Sequence, residues 1–160
     1  MEKDKEKAKR YCLRLLSHGS RTRHEIRERL RRKGYDEKVI DALSADLEKG
    51  SLLDDVSFAK EWIEYRLRTS PRAKGVLKDE LIKKGISEDI IIAVFIERSD
   101  DLKDEKIAEG LMQSESSRLK GISTGDKKIK LFRKLLARGF DQETAEDLVE
   151  RFLTDLQSGQ

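Results

Sequence analysis

The feature that most constrains this chain is an 18-residue pattern, centred on a glycine, that occurs three times. Ile26 to Leu43 reads IRERLRRKGYDEKVIDAL, Leu77 to Val94 reads LKDELIKKGISEDIIIAV, and Leu131 to Leu148 reads LFRKLLARGFDQETAEDL. The three align without a gap on Gly34, Gly85 and Gly139, and self-similarity at a near-constant period marks a repeat architecture. In each, apolar residues stand eight and four positions before the glycine (Ile26 and Leu30, Leu77 and Leu81, Leu131 and Leu135), the stripe of an amphipathic helix. The glycine supplies the left-handed conformation that ends this helix. The next residue (Tyr35, Ile86, Phe140) is apolar, as the contact of a Schellman-type cap requires. Asp36, Ser87 and Asp141 then read as N-caps of a second helix. Its inward residues are Val39, Ile40 and Leu43, then Ile90, Ile91 and Val94, then Thr144, Ala145 and Leu148.

A further helix precedes each pair. The first is expected from about Lys5 to His18 with Tyr11, Leu15 and Leu16 inward, and the second from Asp55 to about Thr69 with Phe58, Trp62, Ile63 and Leu67 inward. The third is expected from about Leu102 to Leu119 with Ile107, Leu111 and Met112 inward. Thr22 and Glu25 have capping-box spacing, and Asp54 or Asp55 can cap the helix that follows them. The reading is an all-α fold of nine helices in three tandem three-helix repeats, residues 1–50, 51–100 and 101–160, elongated and curved. Composition agrees: charged residues are 42% and hydrophobic ones 36%, a thin core that suits segments packing only on their neighbours.

The 35 basic and 32 acidic residues leave a net charge of +3, but their order alternates with the repeat. Residues 1–35, 65–85 and 116–138 are basic blocks, and 36–64, 86–115 and 139–160 are acidic ones. Lys33, Lys84 and Arg138, each directly before a capping glycine, complement a helix dipole. That reason fails for cations at or before the start of a middle helix, where the dipole disfavours them. These are Arg21, Arg23, Arg27, Arg66, Arg68, Arg72, Lys74, Lys78, Lys120, Lys127, Lys128 and Lys130. With Arg31 they are the candidate binding face for phosphate or acidic protein.

No residues suggest catalysis. Neither a G-x-x-x-x-G-K-[ST] nor a G-x-G-x-x-G loop occurs, and His18 and His24 lack metal-ligand spacing. The adjacent pairs Asp54–Asp55 and Asp100–Asp101 read as an N-cap with a solvated neighbour. Trp62 reads as core beside Phe58, while Tyr65 fits either a core or a stacking role. Cys12 reads as a buried structural thiol with no disulfide partner. No apolar run approaches the ~18 residues of a membrane span, and the N-terminus alternates sign without an apolar signal core, so a cytoplasmic protein is expected. No cofactor or metal is expected. A monomer is expected, since no large apolar stripe is left over.

Leu53-Asp54-Asp55, Phe58-Ala59, Trp62-Ile63 and Arg66, following Lys33-Gly34-Tyr35 and the linker Gly50-Ser51-Leu52, resemble the RecX family of regulators of the RecA recombinase. HEIRERLRRKGYDEKVIDAL and KDELIKKGISEDIIIAVF match its repeat in spacing and residue type. The resemblance spans about residues 8–152 and is most specific from 20 to 95. The chain has Ser70-Pro71-Arg72-Ala73-Lys74 where that family more often has glycine and arginine. The resemblance implies a non-enzymatic regulator that binds in the helical groove of RecA on single-stranded DNA, limiting recombination, ATP hydrolysis and coprotease activity. On that reading the filament or DNA contacts are Arg21, Arg23, Arg27, Arg31, Arg66, Arg68, Arg72, Lys74, Lys78, Lys127, Lys128 and Lys130. The alternative from the residues alone is a helix-turn-helix DNA-binding module, against which every helix after a glycine turn is acidic at its start.

Overall fold

The computed structural model describes residues 1–159, and among these it contains nine helices and no strand. They are α1 (Glu2–Ser17), α2 (Arg23–Arg32), α3 (Glu37–Lys49), α4 (Asp55–Thr69), α5 (Lys74–Lys83), α6 (Glu88–Glu97), α7 (Asp104–Arg118), α8 (Thr124–Ala137) and α9 (Gln142–Ser158). Each middle helix ends on its glycine in the left-handed region, at φ 84° for Gly34, 81° for Gly85 and 94° for Gly139. The Schellman bonds recur. Tyr35, Ile86 and Phe140 donate their amides to the carbonyls of Leu30, Leu81 and Leu135 at 3.2, 3.1 and 3.1 Å. The third helices start on the expected caps: Asp36 accepts from the Lys38 amide at 2.8 Å and Asp141 from the Thr144 amide at 2.9 Å. The Thr144 amide and hydroxyl hold the Asp141 carboxyl below its usual range. Thr22 and Glu25 make both bonds of the capping box.

The chain divides into two compact units, Met1–Trp62 with Glu80–Val94, and Ile63–Asp79 with Phe95–Gln160. In the first, Ala8, Cys12, Ile26, Leu30, Ile40, Leu43 and Leu47 form the core. Burial pushes the Cys12 thiol up to about 11. Tyr11, Leu15 and Leu16, expected inward, are only half-buried at the edge of this core. The fully buried residues of α1 are instead Ala8 and Cys12, in one cluster with Ile40, Leu43 and Leu47 of α3, and the larger residues pack against that cluster. In the second unit Ile63, Leu77, Leu111, Leu131, Leu135 and Val149 are buried. Helix α7 is shorter than expected, because Leu102 precedes it as a buried loop residue and Leu119 is its C-cap.

Within each unit a glycine turn is seated on the middle helix of the repeat before it. In the first, a Cβ on Gly85 would lie 2.2 Å from the Cβ of His24 in α2. The Thr22 hydroxyl, accepting from the Glu25 amide at 3.1 Å, donates to the carbonyl of Lys84 at 2.6 Å, and the Arg23 amide donates to Asp55 at 2.9 Å. In the second unit a Cβ on Gly139 would lie 2.2 Å from a Val76 methyl group in α5. There the Ala73 amide donates to the Arg138 carbonyl at 2.9 Å and the Lys74 amide to Asp104 at 3.0 Å. Gly34 has nothing within 4 Å of the equivalent position. Alanine at Gly34 should therefore cost only the left-handed backbone, about 1 kcal/mol. At Gly85 or Gly139 the cost should reach about 3 kcal/mol or more, because overpacking adds to it. Urea unfolding of the three variants checks this ranking; equal losses would mean the close approach is not tight.

Candidate functional site

The basic residues before and within the middle helices separate into two groups once their neighbours are known. In the first unit most are neutralised by the acidic helix that follows. Arg27, with a side chain 17% exposed, reaches Glu37 at 3.1 Å and Asp41 at 2.7 Å on α3. Arg31 bonds Glu28 and Glu37, and this pairing raises its pKa and lowers that of Glu37. Arg23 pairs with Glu48 at 2.9 Å. Arg21 is half-buried, and its Nε is buried without a hydrogen-bond partner among the described residues. Part of the alternation of charge blocks is thus cross-helix pairing, a cause distinct from compensation of helix dipoles.

In the second unit the pattern changes. Lys128 alone among the third-repeat candidates pairs, with Glu150 at 2.7 Å. Arg68, Lys120, Lys127 and Lys130 have no ion pair among the described residues, and Arg68, Lys120 and Lys130 are exposed. The Lys74 ammonium lies 5.6 Å from the centre of the Phe95 ring. Lys78 is half-buried on α5. Arg66 and Arg72 are also half-buried, and they lie close enough to Arg138 to repel its charge; burial first, then these two arginines, lowers the Arg138 pKa. Arg138 in turn donates to the Ser70 hydroxyl at 2.8 Å and the Pro71 carbonyl at 3.0 Å, so it fixes the Ser70-Pro71 loop.

Sequence reasoning assigns Lys33, Lys84 and Arg138 to dipole compensation, and their side chains do more. The Lys84 ammonium stands 4.5 Å from the Trp62 ring centre and 5.7 Å from that of Phe58, with Glu25 at 3.3 Å. Lys33 lies 5.3 Å from the centre of the Tyr11 ring. Trp62, expected as core, is half-buried; its ring stacks on Phe58 and its indole N–H donates to Glu80 at 2.8 Å. Tyr65 is exposed. Asp55 is no merely solvated neighbour of the Asp54 cap, because it accepts the first amide of α2, as Asp104 does for α5. Sequence reasoning misses this role, for which an aspartate opening the first helix of a repeat is the available signal. The apolar surface is not empty either, since Ile96 is 70% exposed on α6.

Among the described residues no helix is long and apolar enough to cross a membrane, and no group of three or more His, Cys, Asp or Glu side chains is placed to hold a metal ion. Ion pairing predicts how single substitutions behave. Arg27→Gln, which removes the ion pair of Asp41 and one of the two that hold Glu37 at a mostly buried side chain, should lower stability by about 1 kcal/mol. Lys130→Gln should stay within ~0.5 kcal/mol of the parent. Thermal melting of the two variants checks the division; equal effects would erase it.

Comparison with known proteins places this arrangement. The profile described as RecX, first three-helix domain, matches residues 8–43, and that described as RecX, second three-helix domain, matches residues 54–94. The chain is 32% identical over 148 residues to the regulatory protein RecX of Mycolicibacterium smegmatis, covering 90% of this chain and 78% of the relative. It is 30% identical over 149 residues to the regulatory protein RecX of Amycolatopsis mediterranei, covering 93% and 85%. A crystal structure of RecX from Lactobacillus salivarius superposes with a TM-score of 0.75 at 26% identity, over 95% of this chain and 98% of that one. The α2–Gly34–α3 and α5–Gly85–α6 turns fall inside the two matched segments, so the chain belongs to the RecX family of regulatory proteins.

Proposed function

We propose that this protein binds the filament of RecA on single-stranded DNA in its helical groove and limits recombinase, ATPase and coprotease activity, with no catalysis or cofactor of its own. Membership of the RecX family carries this reading. The charge distribution supports it in a specific way. Arg23, Arg27, Arg31 and Lys128 already have carboxylates of their own chain, and bringing them to a partner would break those pairs. Arg68, Lys127 and Lys130, which have no ion pair among the described residues, are the candidates that can meet the filament without breaking one. An acidic protein groove and a nucleic-acid backbone are both suitable partners for such a surface.

The assay is RecA's ATP hydrolysis on single-stranded DNA, titrated with the protein. The parent should suppress hydrolysis and sediment with RecA-coated DNA. The pair Arg68→Glu with Lys130→Glu should raise the concentration for half-suppression by about tenfold, the equivalent of 1.4 kcal/mol, with melting unchanged. A parent protein that neither sediments with the filament nor slows hydrolysis at saturating concentration would overturn the reading.

A further inference from the structure

The two seated glycine turns define what normally arrives at the start of a middle helix. At α2 it is the Asp55 carboxylate and the Lys84 carbonyl; at α5 it is the Asp104 carboxylate and the Arg138 carbonyl. Each comes from the next repeat. Helix α8 is built differently. It has 14 residues against 10 in α2 and 10 in α5, and it starts on a Ser123 cap, which accepts from the Asp126 amide at 3.2 Å, sixteen residues before its glycine rather than twelve. The positions twelve and nine residues before the glycine, Thr22 and Glu25 in the first repeat and Ala73 and Val76 in the second, are Lys127 and Lys130 in the third. Packing surface has been replaced by cations with no carboxylate partner among the described residues.

Lys127 also lines a cavity of about 450 Å³ bounded by α7, α8 and α9. Lys120, which likewise lacks an ion pair among the described residues, lines it together with the hydroxyl residues Ser116 and Thr124 and the apolar side chains of Phe152 and Leu156. We propose that this cavity is a nucleotide subsite for single-stranded DNA, in which a backbone phosphate takes the two ammonium groups and a base lies against Leu153 and Leu156, with Phe152 buried beneath them. Apolar surface beside cations suits an unstacked base and its phosphate. The volume lies within the range of small-molecule pockets, enough for about one nucleotide of a single strand. An acidic peptide would use the lysines and leave the apolar wall without a partner.

The subsite rests on the filament reading for its biological use, but its test omits RecA. Fluorescence polarisation with a labelled thymidine oligonucleotide compares the parent with Lys120→Gln/Lys127→Gln, the melting curve of each showing that the fold holds. The variant should bind about tenfold or more weakly at low salt, and its slope of log affinity against log salt should be shallower by roughly 0.7 for each phosphate it no longer neutralises. Equal affinity and slope for parent and variant, or a parent that does not bind the bare strand, would overturn the subsite whatever the RecA assay gives. So would a variant that loses binding to poly-glutamate while keeping the oligonucleotide. Loss of oligonucleotide binding in the variant supports the subsite even if the parent leaves RecA's ATP hydrolysis untouched, an outcome that would sink the filament reading alone.

Discussion

The architecture depends on a close approach that only glycine permits. At Gly85 and Gly139 the main chain of a helix-ending turn lies against the side of an earlier helix, and a single added carbon would come within 2.2 Å of His24 or Val76. The same residues need a positive φ to close the Schellman cap, so one residue type answers two independent demands. The polar consequence follows from the steric one. Where the turn comes this close, the carbonyl before each glycine meets a donor from the start of the earlier helix. Thr22 provides a hydroxyl for Lys84, and Ala73, which has none, provides its amide for Arg138. One geometric requirement is met by two different chemical groups.

Electrostatics follows the same logic. A carboxylate from the next repeat reaches the first amide of α2 and of α5, which lets Arg23 and Lys74 occupy places that a bare helix dipole would disfavour. In the first unit the acidic face of α3 goes further and neutralises Arg23, Arg27 and Arg31. The third repeat has Lys120, Lys127 and Lys130 without such partners among the described residues, so its basic character is available to something outside the chain. Net charge alone, at +3, contains none of this.

The helices and turns were legible in the sequence because their determinants are local: the i, i+4 stripe of Ile26 and Leu30, the apolar residue after each glycine, and the spacing of Thr22 and Glu25 are all contained within one turn or two. What needed the structure is non-local. That Asp55 serves α2 rather than its own helix depends on contacts 32 residues apart, and that Arg138 holds the Ser70-Pro71 loop on contacts 67 and 68 apart. The candidate binding face was legible only as a set of cations. Sequence order shows that a block is basic; it does not show that Arg27 faces Glu37 and Asp41 while Lys127 faces a cavity. In α1 the buried thiol of Cys12 was legible, while Ala8 in the core was not, and Tyr11, Leu15 and Leu16, expected inward, lie at its edge.

We propose that the candidate cations without an ion pair among the described residues, Arg68, Lys120, Lys127 and Lys130, rather than basic blocks as such, form the working surface. Hydrogen exchange followed by mass spectrometry on the protein alone and bound to RecA-coated single-stranded DNA tests it directly. Slower exchange on binding is expected in residues 66–70, around Arg68, and in residues 116–130, with α3 exchanging as in the free protein. Protection confined to α2 and α3, with residues 116–130 unchanged, would contradict it.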